Sequence, residues 1–152
     1  MYSTTIGVGL LILEIKLREP TLHHSSTMPT IAILGASADR SKYGNKAVRA
    51  FLAKGYAVYP VNPKGGEIEG LAAFKSLAEI PADVQLDRIS VYLPPAIGLK
   101  TLPEIASRKP GELWLNPGSE SDELVAAAEQ QGLNVVQACS IVDVGMSPHD
   151  LP

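Results

Sequence analysis

Thr30-Ile31-Ala32-Ile33-Leu34-Gly35-Ala36-Ser37, followed seven residues later by Gly44 and a helical pattern over 45–54, is the stretch that decides the fold. An apolar run of four bounded by a glycine reads as a buried strand, and the stripe Ala47, Val48, Phe51, Leu52 reads as one face of a helix. Between them lies a loop of small residues. A strand, a small-residue turn and a helix N-terminus in that order make a phosphate cradle, because the loop N–H groups and the positive end of the helix hold an anion without a basic side chain.

Downstream, the same alternation repeats. Strands are expected at 31–34, 57–61, 89–93, 113–115 and 134–137, each short, apolar and bounded by Gly, Pro or Asn. Helices are expected at 45–54, 97–107 and 121–131, with a weak one near 76–80; the last full helix opens on Asp122 and Glu123 and stops at Gly132. Alternating β and α with right-handed crossovers predicts an α/β, Rossmann-like, doubly wound fold. Its sheet is five-stranded and mainly parallel, with helices on both faces. Ligands of such sheets sit beyond the carboxyl ends of the strands. Those ends read Gly35-Ala36-Ser37, Asn62-Pro63-Lys64-Gly65-Gly66, Pro94-Pro95 and Asn116-Pro117-Gly118-Ser119. βα turns favour these residue types in any case, but four on one edge point to a binding site.

Bulk composition bounds the rest. The chain has 152 residues, 45% apolar and 19% charged, which suits one domain with a proper core. A net charge of −3 argues against general nucleic-acid binding. Cys139 is the only cysteine, which excludes an internal disulfide or a multi-cysteine metal site and suits a reducing, cytoplasmic location. Residues 1–28 are expected to be an extension, disordered or an upstream start. Their apolar run 6–13 is too short to span a membrane, and they lack the basic start of a secretory signal. Residues 29–145 are expected to form the domain and 146–152 a tail.

An ordinary dinucleotide fingerprint is missing. Ser37 stands where the second glycine of G-x-G-x-x-G belongs, and the next glycine is Gly44. The second strand ends in Asn62-Pro63-Lys64 rather than in the carboxylate that would hold an unmodified NAD ribose. Lys64 is either a solvated surface lysine or the partner of a phosphorylated ribose, as in the 3′-phosphate of coenzyme A (CoA) or the 2′-phosphate of NADP.

The segments IAILGAS (31–37), KYGNKAVRAFLAKGYAVYPVNPKGGEIEG (42–70), VYLPP (91–95) and LWLNPG (113–118) resemble the small CoA-binding domain proteins. These are related to the nucleotide-binding domain of the succinyl-CoA synthetase alpha subunit. The resemblance covers about 29–140. It implies that Gly35, Ala36 and Ser37 hold the CoA phosphates and that Lys42, Tyr43 and Gly44 close the far side. It also implies that Asn62, Pro63 and Lys64 face the adenosine and 3′-phosphate end. By the same likeness Leu93, Pro94 and Pro95 border the adenine or pantetheine path, and Asn116, Pro117 and Gly118 complete the rim. Two departures matter. The synthetases carry a phosphorylated histidine in a second domain, whereas His23, His24 and His149 all lie in the terminal segments here. The Asn-Arg-Cys-like segment of many family members reads Gln137-Ala138-Cys139 in this chain.

No catalytic constellation emerges: there is no nucleophile elbow, no P-loop and no metal-ligand spacing. Arg40 is either a partner for pyrophosphate or an ordinary exposed loop charge. Cys139 either faces bound CoA or packs as a small hydrophobe. Trp114 reads as core, and Tyr92, near a strand end, as the better aromatic candidate for the pocket. Three functions follow in order: a stand-alone CoA or acyl-CoA binding protein serving as sensor or carrier, an NADP-dependent oxidoreductase, and a regulatory protein whose pocket has lost its ligand. The expected partners are a small nucleotide ligand and either a second copy of the chain or a partner enzyme, with no nucleic acid, membrane or metal.

Overall fold

A computed structural model describes residues 27–152. The extension's apolar run and His23 and His24 lie outside the described residues. Five strands, β1 (Thr30–Leu34), β2 (Ala57–Val61), β5 (Arg88–Val91), β6 (Glu112–Leu115) and β7 (Val135–Gln137), form one sheet in the order β2-β1-β5-β6-β7. Every pair is parallel, so the expected Rossmann-like sheet is present and the chain reverses its direction of winding between β1 and β5. That reversal is the topological switch point, where the strand ends splay and leave a crevice.

Two layers cover the sheet. On one face, α2 (Pro95–Ser107) and α3 (Asp122–Gln130) pack with a 3-10 turn at Leu77–Glu79 over Ala32, Leu34, Ile89, Val91, Leu113 and Leu115, all of them buried. On the other, α1 (Tyr43–Ala53) covers Ile31, Ile33 and Val58 through Ala47, Val48 and Phe51. A four-residue helix, α4 (Ser140–Asp143), continues that layer. Burial from both sides is why β1 and β6 read as apolar runs after their first residue.

The boundaries differ from expectation in physically readable ways. α1 begins at Tyr43, two residues early, so Tyr43 and Gly44 belong to its first turn. α2 begins at Pro95, because proline fits the first helical position, where an N–H has no partner to lose. The weak helix near 76–80 is a single 3-10 turn. A small antiparallel hairpin, β3 (Glu67–Ile68) with β4 (Leu71–Ala72), fills the connection after β2 and turns through Glu69 at φ 49° and Gly70 at φ 80°. Residues 146–152 fold back on α1. Lys46 Nζ donates to Pro148 O at 3.0 Å, Arg49 donates to Pro152 O at 3.0 Å, and Leu151 is buried. Among the described residues no helix is long and apolar enough to cross a membrane.

Candidate functional site

The loop after β1 is built by two glycines in contact. Gly35 has φ 83°, and a Cβ there would lie 2.5 Å from Tyr92 O; a Cβ on Gly44 would lie 2.0 Å from Gly35 O. Only a residue without a side chain lets the first turn of α1 sit this close to the strand end. Gly44 thus performs the helix-packing role of the last glycine in a dinucleotide fingerprint, from a longer loop. Two asparagine amides then lock the loop. Asn62 Nδ2 donates to Ala36 O and Asn45 Nδ2 to Ser37 O, each at 2.8 Å. Asn62 Oδ1 also accepts the Lys64 N–H at 2.8 Å, so one side chain fixes the ends of β1 and β2 together.

Charges in the loop are internally committed. Asp39 accepts the Ser41 hydroxyl at 2.7 Å and the Ser41 N–H at 3.0 Å, and these bonds hold its carboxyl below the usual range. Glu69, at the hairpin tip, accepts Asn45 Nδ2 at 3.1 Å and pairs with Arg40; the Asn45 bond is the chief reason its carboxyl also lies low. Arg40, singled out as a pyrophosphate partner, is therefore directed to Glu69 and does not line the cleft.

A second, buried network organises the ends of β5 and β6. Asn116 Nδ2 donates to Ser90 Oγ at 2.8 Å and to Val91 O at 2.9 Å, while its Oδ1 accepts the Ser140 N–H at 2.9 Å. Ser140 Oγ lies 2.8 Å from Ser90 Oγ and 3.0 Å from the Tyr92 hydroxyl. Every buried side-chain polar atom among the described residues finds a partner. Burial pushes the Tyr92 phenol up to about 12, so it is a neutral donor or acceptor at any ordinary pH.

These loops enclose one cleft of about 990 Å³ at the switch point. Gly35, Ala36, Ser37, Lys42, Tyr43, Gly44, Asn62 and Pro63 line one side, and Leu93, Pro94, Pro95, Asn116, Pro117 and Gly118 another. Lys64 stands apart, in an adjoining recess of about 230 Å³ that shares Ser37 and Asn62 with the main cleft. Ser119, quoted with the fourth strand-end loop, also lines the main cleft; sequence reasoning left out Val142, Ser147, Pro148 and His149 and left Tyr92 and Cys139 open. Among the described residues no Asp or Glu is on the lining. Trp114 is remote from it, buried in β6 with Arg88 over its ring at 4.8 Å. Among the described residues no group of three or more His, Cys, Asp or Glu side chains is arranged to hold a metal.

Comparison with known proteins agrees with this geometry. The family model described as a CoA binding domain matches residues 29–145. The alpha subunit of the ADP-forming acetate–CoA ligase I of Pyrococcus furiosus is 33% identical over 122 residues, covering 70% of this chain and 26% of its own length. The alpha subunit of ligase II from the same organism is 32% identical over 117 residues, with 70% and 25% covered. The chain thus spans about a quarter of the length of these curated relatives. Among solved structures, a protein from Thermus thermophilus superimposes with a TM-score of 0.70 at 32% identity, covering 87% of this chain and 96% of that one. A dinucleotide-forming acetyl-coenzyme A synthetase of Ca. Korarchaeum cryptofilum, in complex with phosphate and ADP, does so with a TM-score of 0.62 at 27% identity, covering 72% of this chain and 25% of its own. Neither the family nor these relatives support the NADP alternative. With the cradle, the switch-point cleft and the match over 29–145 all in the same region, the chain belongs to the CoA binding domain family.

Proposed function

We propose that this chain is a stand-alone CoA or acyl-CoA binding protein, a cytoplasmic sensor or carrier that presents its ligand to a partner enzyme and performs no chemistry itself. The observation that carries the reading is the N-terminus of α1. It has no acidic residue in its first turn and no side-chain cap, and Lys42, Tyr43 and Gly44 on it line a cleft free of carboxylates. Uncapped N–H groups at the positive end of a helix attract a pyrophosphate, and Lys42 adds a full charge. In this reading Gly35–Ser37 contact the phosphates and Asn62–Pro63 the adenosine.

Lys64 takes the 3′-phosphate from the adjoining recess, on the far side of Ser37 and Asn62. Isothermal titration with CoA and with 3′-dephospho-CoA tests both parts. The native protein is expected to bind CoA about tenfold tighter, ~1.4 kcal/mol for one exposed charge-assisted contact, and Lys64→Ala to bind both alike. Equal affinities in the native protein overturn the role of Lys64. Absence of binding to either overturns the function.

A further inference from the structure

The phosphates call on backbone N–H groups of the loop and of the first turn of α1, which leaves the side chains on the α1/α4 side of the cleft without an assigned contact. An arm of the cleft is formed there by Tyr43, Tyr92, Cys139, Val142 and Pro148, all on the same lining. Its chemistry is apolar. Of α4's four residues, Ser140 and Ile141 are buried, and Asp143 is held by Arg88 at 2.8 Å. That leaves Val142 on the cleft, 59% exposed. Tyr43 is 55% exposed, so two of the five large apolar side chains exposed among the described residues line this one cleft. Apolar side chains concentrated in this way, rather than scattered singly, mark a surface that a ligand covers.

The C-terminal segment, which lines the cleft with Ser147, Pro148 and His149, is held in place. Lys46 lies 5.7 Å from the Tyr43 ring centre and donates to Pro148 O at 3.0 Å, which joins the segment to the first turns of α1. Arg49 donates through Nη1 to Pro152 O, through Nη2 to both Leu151 O and Arg40 O, the latter at 2.9 Å, and through Nε to Asn45 Oδ1 at 2.8 Å. Asn45 in turn holds Ser37 O. One guanidinium therefore fixes the phosphate loop and the C-terminal wall of the cleft in a single frame.

We infer that this arm, formed by Tyr43, Val142 and Pro148 with Tyr92 and Cys139 at its base, is an acyl subsite, and that the physiological ligand is a CoA thioester with an apolar acyl chain of several carbons. The inference rests on the proposed CoA binding and names the ligand class for that site. A chain with a terminal carboxylate would meet mainly apolar side chains here: among the described residues, Lys42, committed to the phosphate end, and His149 are the only ionisable side chains other than tyrosine or cysteine on the lining.

Affinities of the full chain for acetyl-CoA, hexanoyl-CoA and glutaryl-CoA test this. Burial of a methylene is worth about fourfold in affinity, so hexanoyl-CoA is expected to bind at least tenfold tighter than acetyl-CoA, and glutaryl-CoA no tighter than acetyl-CoA. The hexanoyl-to-acetyl ratio is expected to fall to about one in Val142→Asp. It is expected to persist in Leu52→Asp, an exposed apolar position in the last turn of α1. Alkylation of Cys139 by iodoacetamide should be slowed more by hexanoyl-CoA than by acetyl-CoA at equal occupancy. A ratio near one in the native protein, with both thioesters bound, overturns the acyl subsite and leaves CoA binding standing. A ratio that Val142→Asp does not change overturns its location. Failure of all three thioesters and of CoA to bind overturns the underlying reading instead.

Discussion

The two faces of the sheet are built on different chemistry. Under α2 and α3, the inward positions of β1, β5 and β6 are Ala32, Leu34, Ile89, Val91, Leu113 and Leu115, without a polar atom among their side chains. Under α1 and α4, the same strands present Ile31 and Ile33, then Ser90, Trp114 and the Asn116 that follows β6. The first face is closed by two full helices and stabilises the fold. The second is closed by one full helix and a four-residue one, and its polar positions, being hydrogen-bonded, set the direction of the strand ends at the cleft. A buried network of this kind contributes position more than stability, since each bond only replaces one made to water.

The contrast predicts that substitutions on the two faces separate stability from binding. Leu113→Ala removes a fully buried side chain from the closed face. It is expected to cost about 3–4 kcal/mol in urea unfolding, with CoA affinity of the remaining folded protein within about twofold of native. Asn116→Ala removes three side-chain hydrogen bonds from the open face, leaving Ser90 Oγ, Val91 O and the Ser140 N–H without this partner. The expected cost is smaller, about 2 kcal/mol, but CoA affinity falls at least tenfold because the β5 and β6 ends and the start of α4 lose their common anchor. Equal affinity losses in the two variants would erase the division between the faces.

Legibility in the sequence follows the same division. The closed face is written as short apolar runs, and all five sheet strands were visible there, to within a residue or two at their ends. The strand-end loops were visible because Gly, Pro and Asn have local reasons to be where they are, and most of the positions they mark line one cleft, with Lys64 and Gly65 in the recess beside it. What escaped depends on distant contacts. The β3–β4 strands have two residues each, too few for alternation to register. α4 has a single turn, held by Asn116 across 24 residues of chain. The segment 146–152 reads as a polar tail until Lys46 and Arg49, about a hundred residues away, bring it to the cleft. Arg40 reads as either a phosphate partner or a free loop charge because Glu69, its partner, sits in the unrecognised hairpin.

Tyr92 lies where the two chemistries meet, and its ionisation provides the smallest but most direct measure of how closed the second face is. Burial raises its phenol from an ordinary 10 to about 12, against the opposing pull of its bond to Ser140. Below pH 10 the phenol is protonated in folded and unfolded chains alike, and its favourable burial contributes in full. Between pH 10 and 12 the unfolded chain ionises at this residue while the folded chain does not, so stability falls as pH rises, by roughly 2–3 kcal/mol across the window. Tyr92→Phe is expected to cost about 1 kcal/mol at neutral pH, because Ser140 Oγ keeps its partner Ser90 Oγ, and to make the stability curve shallower than native above pH 10. Parallel curves for the two proteins would mean that water reaches the phenol, and that the α4 face is open at Tyr92 rather than sealed over the Ser90, Asn116 and Ser140 network.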